Sequence, residues 1–185
     1  VQFWVVLSAS NTTIGAIIGA AFGWSSGDII GRHMDKQAKE LKADLRGATV
    51  ERVGEGIKIT FDSVLMFNFD SYTLTQGTKE NLTALAKTLN KYPDTNFLIE
   101  GHTAKKDAED YNMNLSEQRA HSVATYMEQG NMQSSRITRK GYGEDQSASE
   151  NDEENRHVEV AICANKKMKK AAEKGSTLNW LAQHS

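Results

Sequence analysis

Arg119 stands seven residues after Asn112 in the stretch GHTAKKDAEDYNMNLSEQR, residues 101–119. On a helix that is roughly two turns, so both side chains, with Leu115 between them, fall near one line. The planar fork of an arginine matches the two oxygens of a carboxylate, and an asparagine beside it adds hydrogen bonds to either sign of ligand. Taken alone, Arg119 reads better as an ordinary exposed helical arginine. Carboxylates stand nearby at Asp107, Glu109 and Asp110, and farther off at Asp70 in the run FNFDS. His102 has the chemistry of a general base. No Ser or Cys nucleophile, metal-ligand spacing or Gly-rich phosphate loop accompanies it in an interpretable pattern. It therefore reads as a turn residue before Thr103. No enzyme is expected, and no cofactor or metal.

Composition narrows the classes further. The 185 residues carry a formal net charge of -2, which gives no electrostatic case for nucleic acid. A hydrophobic fraction of 38% is low for a globular chain, so part of the length is expected outside any core. Charge is unevenly placed: residues 1–27 carry none, the segment Glu144–Glu154 is acidic, and residues 164–185 are basic. The single cysteine, Cys163, sits in the apolar run VEVAIC and reads as a small buried residue.

The elements that must position these residues follow from periodicity. Residues 1–24 form an uncharged segment long enough to cross a bilayer as one helix. Glycines at 15, 19, 23, 27 and 31 lay small residues on one stripe, against which another helix packs closely. Residues 1–33 are therefore expected to be a membrane-associated glycine-zipper segment, and a homo-oligomer through it is among the expectations. The chain starts at Val1, consistent with a processed, trimmed or incompletely represented N-terminus. Residues 34–56 read as a helical linker, Met34–Arg46, and a first strand, Thr49–Val53. Ile57–Phe61 is a second strand, and Val64–Phe69 an extended approach to a loop.

Leu82, Leu85, Ala86 and Leu89 make one face of a helix within residues 75–92, stopped by Pro93, the only proline. Thr95–Glu100 is a buried strand. A second helix runs from about Ala108 to Gln129, with Ala120, Val123, Ala124 and Met127 inward and Gly130 as its stop. Arg136–Lys140 and His157–Cys163 complete the strands, and Gly141 and Gly143 read as backbone-geometry residues. Helices that link strands as crossovers imply a mixed sheet with helices on one face. The fold class is α/β (α+β), a two-layer sandwich spanning residues 57–163, followed by a basic, mobile tail over residues 164–185.

Five pieces of this chain carry a resemblance: FNFDSYTL (67–74), FLIEGHT (97–103), YN..LSEQRA (111–120), GYGE (141–144) and NRHVEV (155–160). In this order and spacing they resemble the C-terminal domain shared by OmpA, the peptidoglycan-associated lipoprotein and flagellar stator proteins. The resemblance implies non-covalent binding of peptidoglycan, through a groove for the diaminopimelate of its stem peptide. That residue offers an ammonium and a carboxylate on one carbon. The positions that match the family's groove are Asp70, Thr103, Ala104, Asn112, Leu115, Arg119 and Arg156, with Arg119 for the carboxylate. Arg156 is equally readable as a structural ion-pair partner.

Two departures stand out. The family places Asp after GHT, and this chain has Ala104, which cannot neutralise an ammonium. Leu7-Ser8-Ala9 resembles the cleavage region of a bacterial lipoprotein, but Ser10 stands where the lipidated cysteine would be. Three readings of Ala104 follow: a weakened binder, a retuned site, or a deliberate Asp-to-Ala substitution. The resemblance places the chain in the bacterial cell envelope, at the outer membrane and facing the periplasm. The rival expectation is a structural or protein-interaction module on the same fold. A stator-like channel fits less well, because Asp28 lies at the end of the apolar segment and not inside it.

Overall fold

A computed structural model describes residues 27–68, 70–104, 108–144 and 156–184. Most of the glycine-spaced segment, Ser10, Asp107 and most of the acidic stretch lie outside the described residues, so those expectations are not addressed by it. The elements in order are α1 (Gly27–Asp44), β1 (Ala48–Val53), β2 (Gly56–Asp62), the short α2 (Ser63–Met66), α3 (Gln76–Asn90), β3 (Thr95–Gly101), α4 (Glu109–Gln129), a 3-10 turn (Ser134–Arg136), β4 (Ile137–Gly141), β5 (His157–Ala164) and α5 (Lys166–His184).

Strand alternation makes the two faces of the sheet. Its order is β1-β2-β5-β3-β4, with β3 and β4 parallel and every other pair antiparallel. Register sets Ile59 opposite Val160 and Ile99 opposite the same Val160, so Ile57, Ile59, Phe61, Phe97, Ile99, Val158 and Ile162 share one face. That face and the apolar stripes of α1, α3, α4 and α5 form one core. The expected mixed sheet with helices on one face is the observed architecture. The opposite face carries Lys58, Leu98, Glu100, Glu159, Ala161 and Cys163.

The helices are fixed by local signals. Thr75 accepts a hydrogen bond from the Thr78 backbone at 3.3 Å and starts α3. Leu82, Leu85 and Leu89 are fully buried beneath it, worth about 2 kcal/mol each. Ile30, Met34, Ala38 and Leu41 form the buried stripe of α1.

Four expectations are corrected. Helix α1 begins at Gly27, well before Met34, and it joins β1 in the same core rather than acting as a linker. Val64–Phe69 is not extended throughout: α2 covers Ser63–Met66, and only then does Phe67 form a bridge with Leu74. Residues 166–184 are a helix, not a mobile tail, because Met168 and Ala172, four apart, are buried in the core. Packing there is close, since a Cβ at Gly175 would lie 2.9 Å from Ile29 Cδ1. Cys163 is partly exposed on the helix-free face rather than buried. The side chains of Leu178, Trp180 and Leu181, read as a weak membrane or partner contact, lie outside the described residues. No helix among the described residues is long and apolar enough to cross a membrane.

Candidate functional site

At one end of the sheet, β3 and β4 finish side by side and α4 lies hard against them. A Cβ on Gly141 would collide with Ser116 Oγ and lie 2.5 Å from the Glu117 nitrogen. Only glycine lets the helix sit this close. Ser116 ties the junction: its Oγ donates to the Met113 carbonyl at 2.8 Å and accepts from the Gly143 N–H at 2.8 Å. Gly143 has φ +54°, the left-handed region, and its carbonyl accepts from the Thr103 N–H at 2.9 Å. This close docking sets the height of Asn112 and Arg119 above the strand ends.

Arg119 is 6% exposed. Its Nε donates to the Ser71 carbonyl at 3.0 Å, and its guanidinium carbon lies 5.0 Å from the centre of the Phe67 ring. No other hydrogen-bond acceptor meets it among the described residues, which leaves both Nη nitrogens without one. Burial pulls its pKa below the ordinary value, and Arg156 adds to that, against the opposing pull of Asp70 and Tyr111. The site thus holds a desolvated cation, a second guanidinium nearby, and compensation that falls short of both. A carboxylate brought to it would meet that need.

One carboxylate, Asp70, acts on the arginine by charge, and a second, Glu144, meets Asn112 in the first turn of α4. Asp70, exposed and with φ +49°, accepts a hydrogen bond from Tyr111 Oη. Glu144 Oε2 accepts from Asn112 Nδ2 at 3.1 Å. Ala104 is 5% exposed and offers no polar side chain where a charge was sought. Thr103 is buried beside it, and its Oγ1 has no hydrogen-bond partner among the described residues. Leu115 is half-buried on the same helix.

The structure therefore sets the charge of Asp70 against Arg119, and ties Asn112 to Glu144 in the loop after β4, whose Gly143 carbonyl accepts from Thr103. Asp107 lies outside the described residues, and Glu109 and Asp110 are exposed in the first turn of α4. Three partners escaped the sequence reading: Ser71, Tyr111 and Glu144. The first acts through its backbone carbonyl, which no residue type betrays. The other two sit in the matched runs YN and GYGE without an assigned role. A cleft of about 570 Å³ opens alongside, lined by Tyr72, Gln118, His121, Arg139 and Lys140. Tyr72 follows Ser71 and Gln118 precedes Arg119, so the cleft borders the site.

His102, expected as a turn residue, directly follows β3 and is not assigned to this pocket. It is buried and stacked between Tyr142, at 5.6 Å, and His157, at 4.5 Å.

Comparison with known proteins bears on the family and the fold. The sequence pattern of the OmpA family matches residues 66–160. "Probable lipoprotein YiaD" of Escherichia coli is 35% identical over 155 residues, covering 80% of this chain and 71% of that protein. The peptidoglycan-associated lipoprotein of Buchnera aphidicola is 28% identical over 120 residues, 65% of this chain and 66% of that one. The periplasmic domain of Helicobacter pylori MotB superposes with a TM-score of 0.60 at 19% identity, over 72% of this chain and 90% of that one, a likeness of fold.

Proposed function

This chain belongs to the OmpA family, and on that footing we propose that its domain binds peptidoglycan non-covalently, tethering the cell wall to a membrane that holds the uncharged segment of residues 1–24. The observation that carries the reading is Arg119, a buried guanidinium with one hydrogen bond to the described residues and two nitrogens without an acceptor. A ligand carboxylate completes it in bidentate fashion. The ligand is the free zwitterion of diaminopimelate in a stem peptide, and its ammonium goes to the acidic side of the site, Asp70 with Glu144. Asn112, Thr103 and Leu115 shape the groove, and Arg156 reinforces the positive side. No bond is made or broken. The protein works in the bacterial cell envelope, at the outer membrane and facing the periplasm.

Ala104 sets the strength. A carboxylate at that position would supply a charge-assisted bond worth about 1.5–3 kcal/mol, or roughly ten- to a hundredfold in affinity. The same residue favours a second reading, in which the fold persists as a protein-interaction module that no longer holds peptidoglycan. Co-sedimentation with purified sacculi separates the two. The first reading expects binding by the unmodified chain, weakened by Arg119→Ala and strengthened by Ala104→Asp. Absence of binding in both the unmodified chain and the Ala104→Asp variant selects the second.

A further inference from the structure

The helix-free face of the sheet carries a second polar cluster, which the binding site does not use. Register sets Glu100 of β3 directly opposite Glu159 of β5. They are 0% and 4% exposed, and like charges in that relation repel. His102 follows β3, is 2% exposed, and its backbone N–H donates to the His157 carbonyl at 3.0 Å. Among the described residues, both Glu100 oxygens, both ring nitrogens of His102 and Glu159 Oε2 have no hydrogen-bond partner. Burying carboxylates in that condition is expensive, so the cluster calls for positive charge. Lys58 answers only in part: its Nζ is 3.8 Å from Glu159 Oε1 and 3.4 Å from Glu51.

We propose that this cluster is a site for a divalent transition-metal ion of the zinc type, held by His102, His157 and Glu159. One ligand atom from each lies within 4.8 Å of the others. His157 Nε2 is 3.3 Å from Glu159 Oε1, and His102 Nε2 is 3.6 Å from Glu100 Oε2. Two imidazoles and a carboxylate are a common zinc ligand set, and tetrahedral zinc keeps its ligand atoms about 3.4 Å apart. The triad closes to that spacing by side-chain rotation. The two rings are now stacked 18° from parallel, and a shared ion must lie in both ring planes. The partly exposed His157 is the ring that turns, and it opens the way in from solvent. Lys58 withdraws to Glu51. Glu100 serves as the fourth ligand, or as the partner that orients His102. The ion would clamp β3 to β5 at the sheet end from which the Thr103 loop and Arg156 depart.

The test uses the full chain without a polyhistidine tag, stripped with chelator and titrated with zinc chloride by calorimetry. Cobalt(II) serves as a visible-absorption reporter of the same site. The expected result is one ion per chain, a higher melting temperature, and cobalt bands of a four-coordinate nitrogen–oxygen site. His157→Arg keeps a cation beside Glu159, so it should fold and take up no ion. Glu100→Gln should weaken uptake about ten- to a hundredfold, and His121→Gln should leave it unchanged. The proposal is overturned if the unmodified chain takes up neither ion. Uptake that survives both His157→Arg and Glu159→Gln overturns it equally.

Discussion

Arg119 and Arg136 are both nearly closed off from solvent, and their hydrogen bonds distinguish their work. Arg136 donates from Nε to the Thr95 carbonyl and from Nη2 to the Leu89 and Tyr92 carbonyls and Thr95 Oγ1, with its guanidinium 4.6 Å from the Phe97 ring. It caps the end of α3 and ties it to β3, so Arg136→Ala should cost about 3 kcal/mol in chemical denaturation. Arg119 makes one such bond. Arg119→Ala should lose sacculus binding about ten- to a hundredfold, with a stability loss well below that of Arg136→Ala in the same denaturation series. Equal stability losses for the two would make Arg119 a structural residue. The sequence pointed to Arg119 because a five-piece resemblance surrounds it. It did not point to Arg136, whose role depends on carbonyls gathered from residues 89–95, a meeting that only the fold creates. Glu144 was missed for the same reason, since its contact with Asn112 joins α4 to the loop after β4.

Among the elements, α4 is the one on which the site hangs, and glycine sets its distance from the sheet. A Cβ on Gly101 would run into the Ser116 carbonyl, an atom of helix backbone that cannot move alone. Gly101→Ala should therefore cost about 1–3 kcal/mol by overpacking, and weaken binding as Asn112 and Arg119 shift together. Denaturation and sedimentation of that variant check both effects. Helices α1 and α3 meet at another readable point, where Tyr92 Oη donates to Glu40 Oε1 at 2.7 Å. Burial, with the Glu40 bond behind it, pushes the Tyr92 hydroxyl up to about 12. Its contribution to stability is present below the unfolded value of about 10 and is lost as pH rises through about 12. The Tyr92 and Lys91 bonds hold Glu40 below the usual carboxylate range, so its part fades as pH falls through that lowered value. An alkaline absorbance titration should show one phenolate forming late, and Tyr92→Phe should remove that step. Helix α3 was legible because cap, stripe and proline all agree. Helix α5 was not, because five lysines around Met168 and Ala172 conceal a stripe of two buried residues. The Glu100–Glu159 pair was equally hidden, since nothing in one strand tells which strand lies opposite.

For the whole molecule, one sheet with helices on one side presents the strand-end loops at one end, and the proposed ligand site is there. A tether needs only this: an attachment at one end of the chain and a groove on a rigid body. Its strength depends on how well the groove fills the desolvated guanidinium of Arg119 and answers the ligand's ammonium without a carboxylate at position 104. The most direct measurement is calorimetric titration of the full chain with a purified diaminopimelate-containing stem peptide, beside the same peptide bearing lysine in place of diaminopimelate. The account predicts saturable binding of the first, strengthened about ten- to a hundredfold by Ala104→Asp, and much weaker binding of the second, which lacks the side-chain carboxylate. Equal affinity for the two peptides, or binding unaffected by Arg119→Ala, would contradict it.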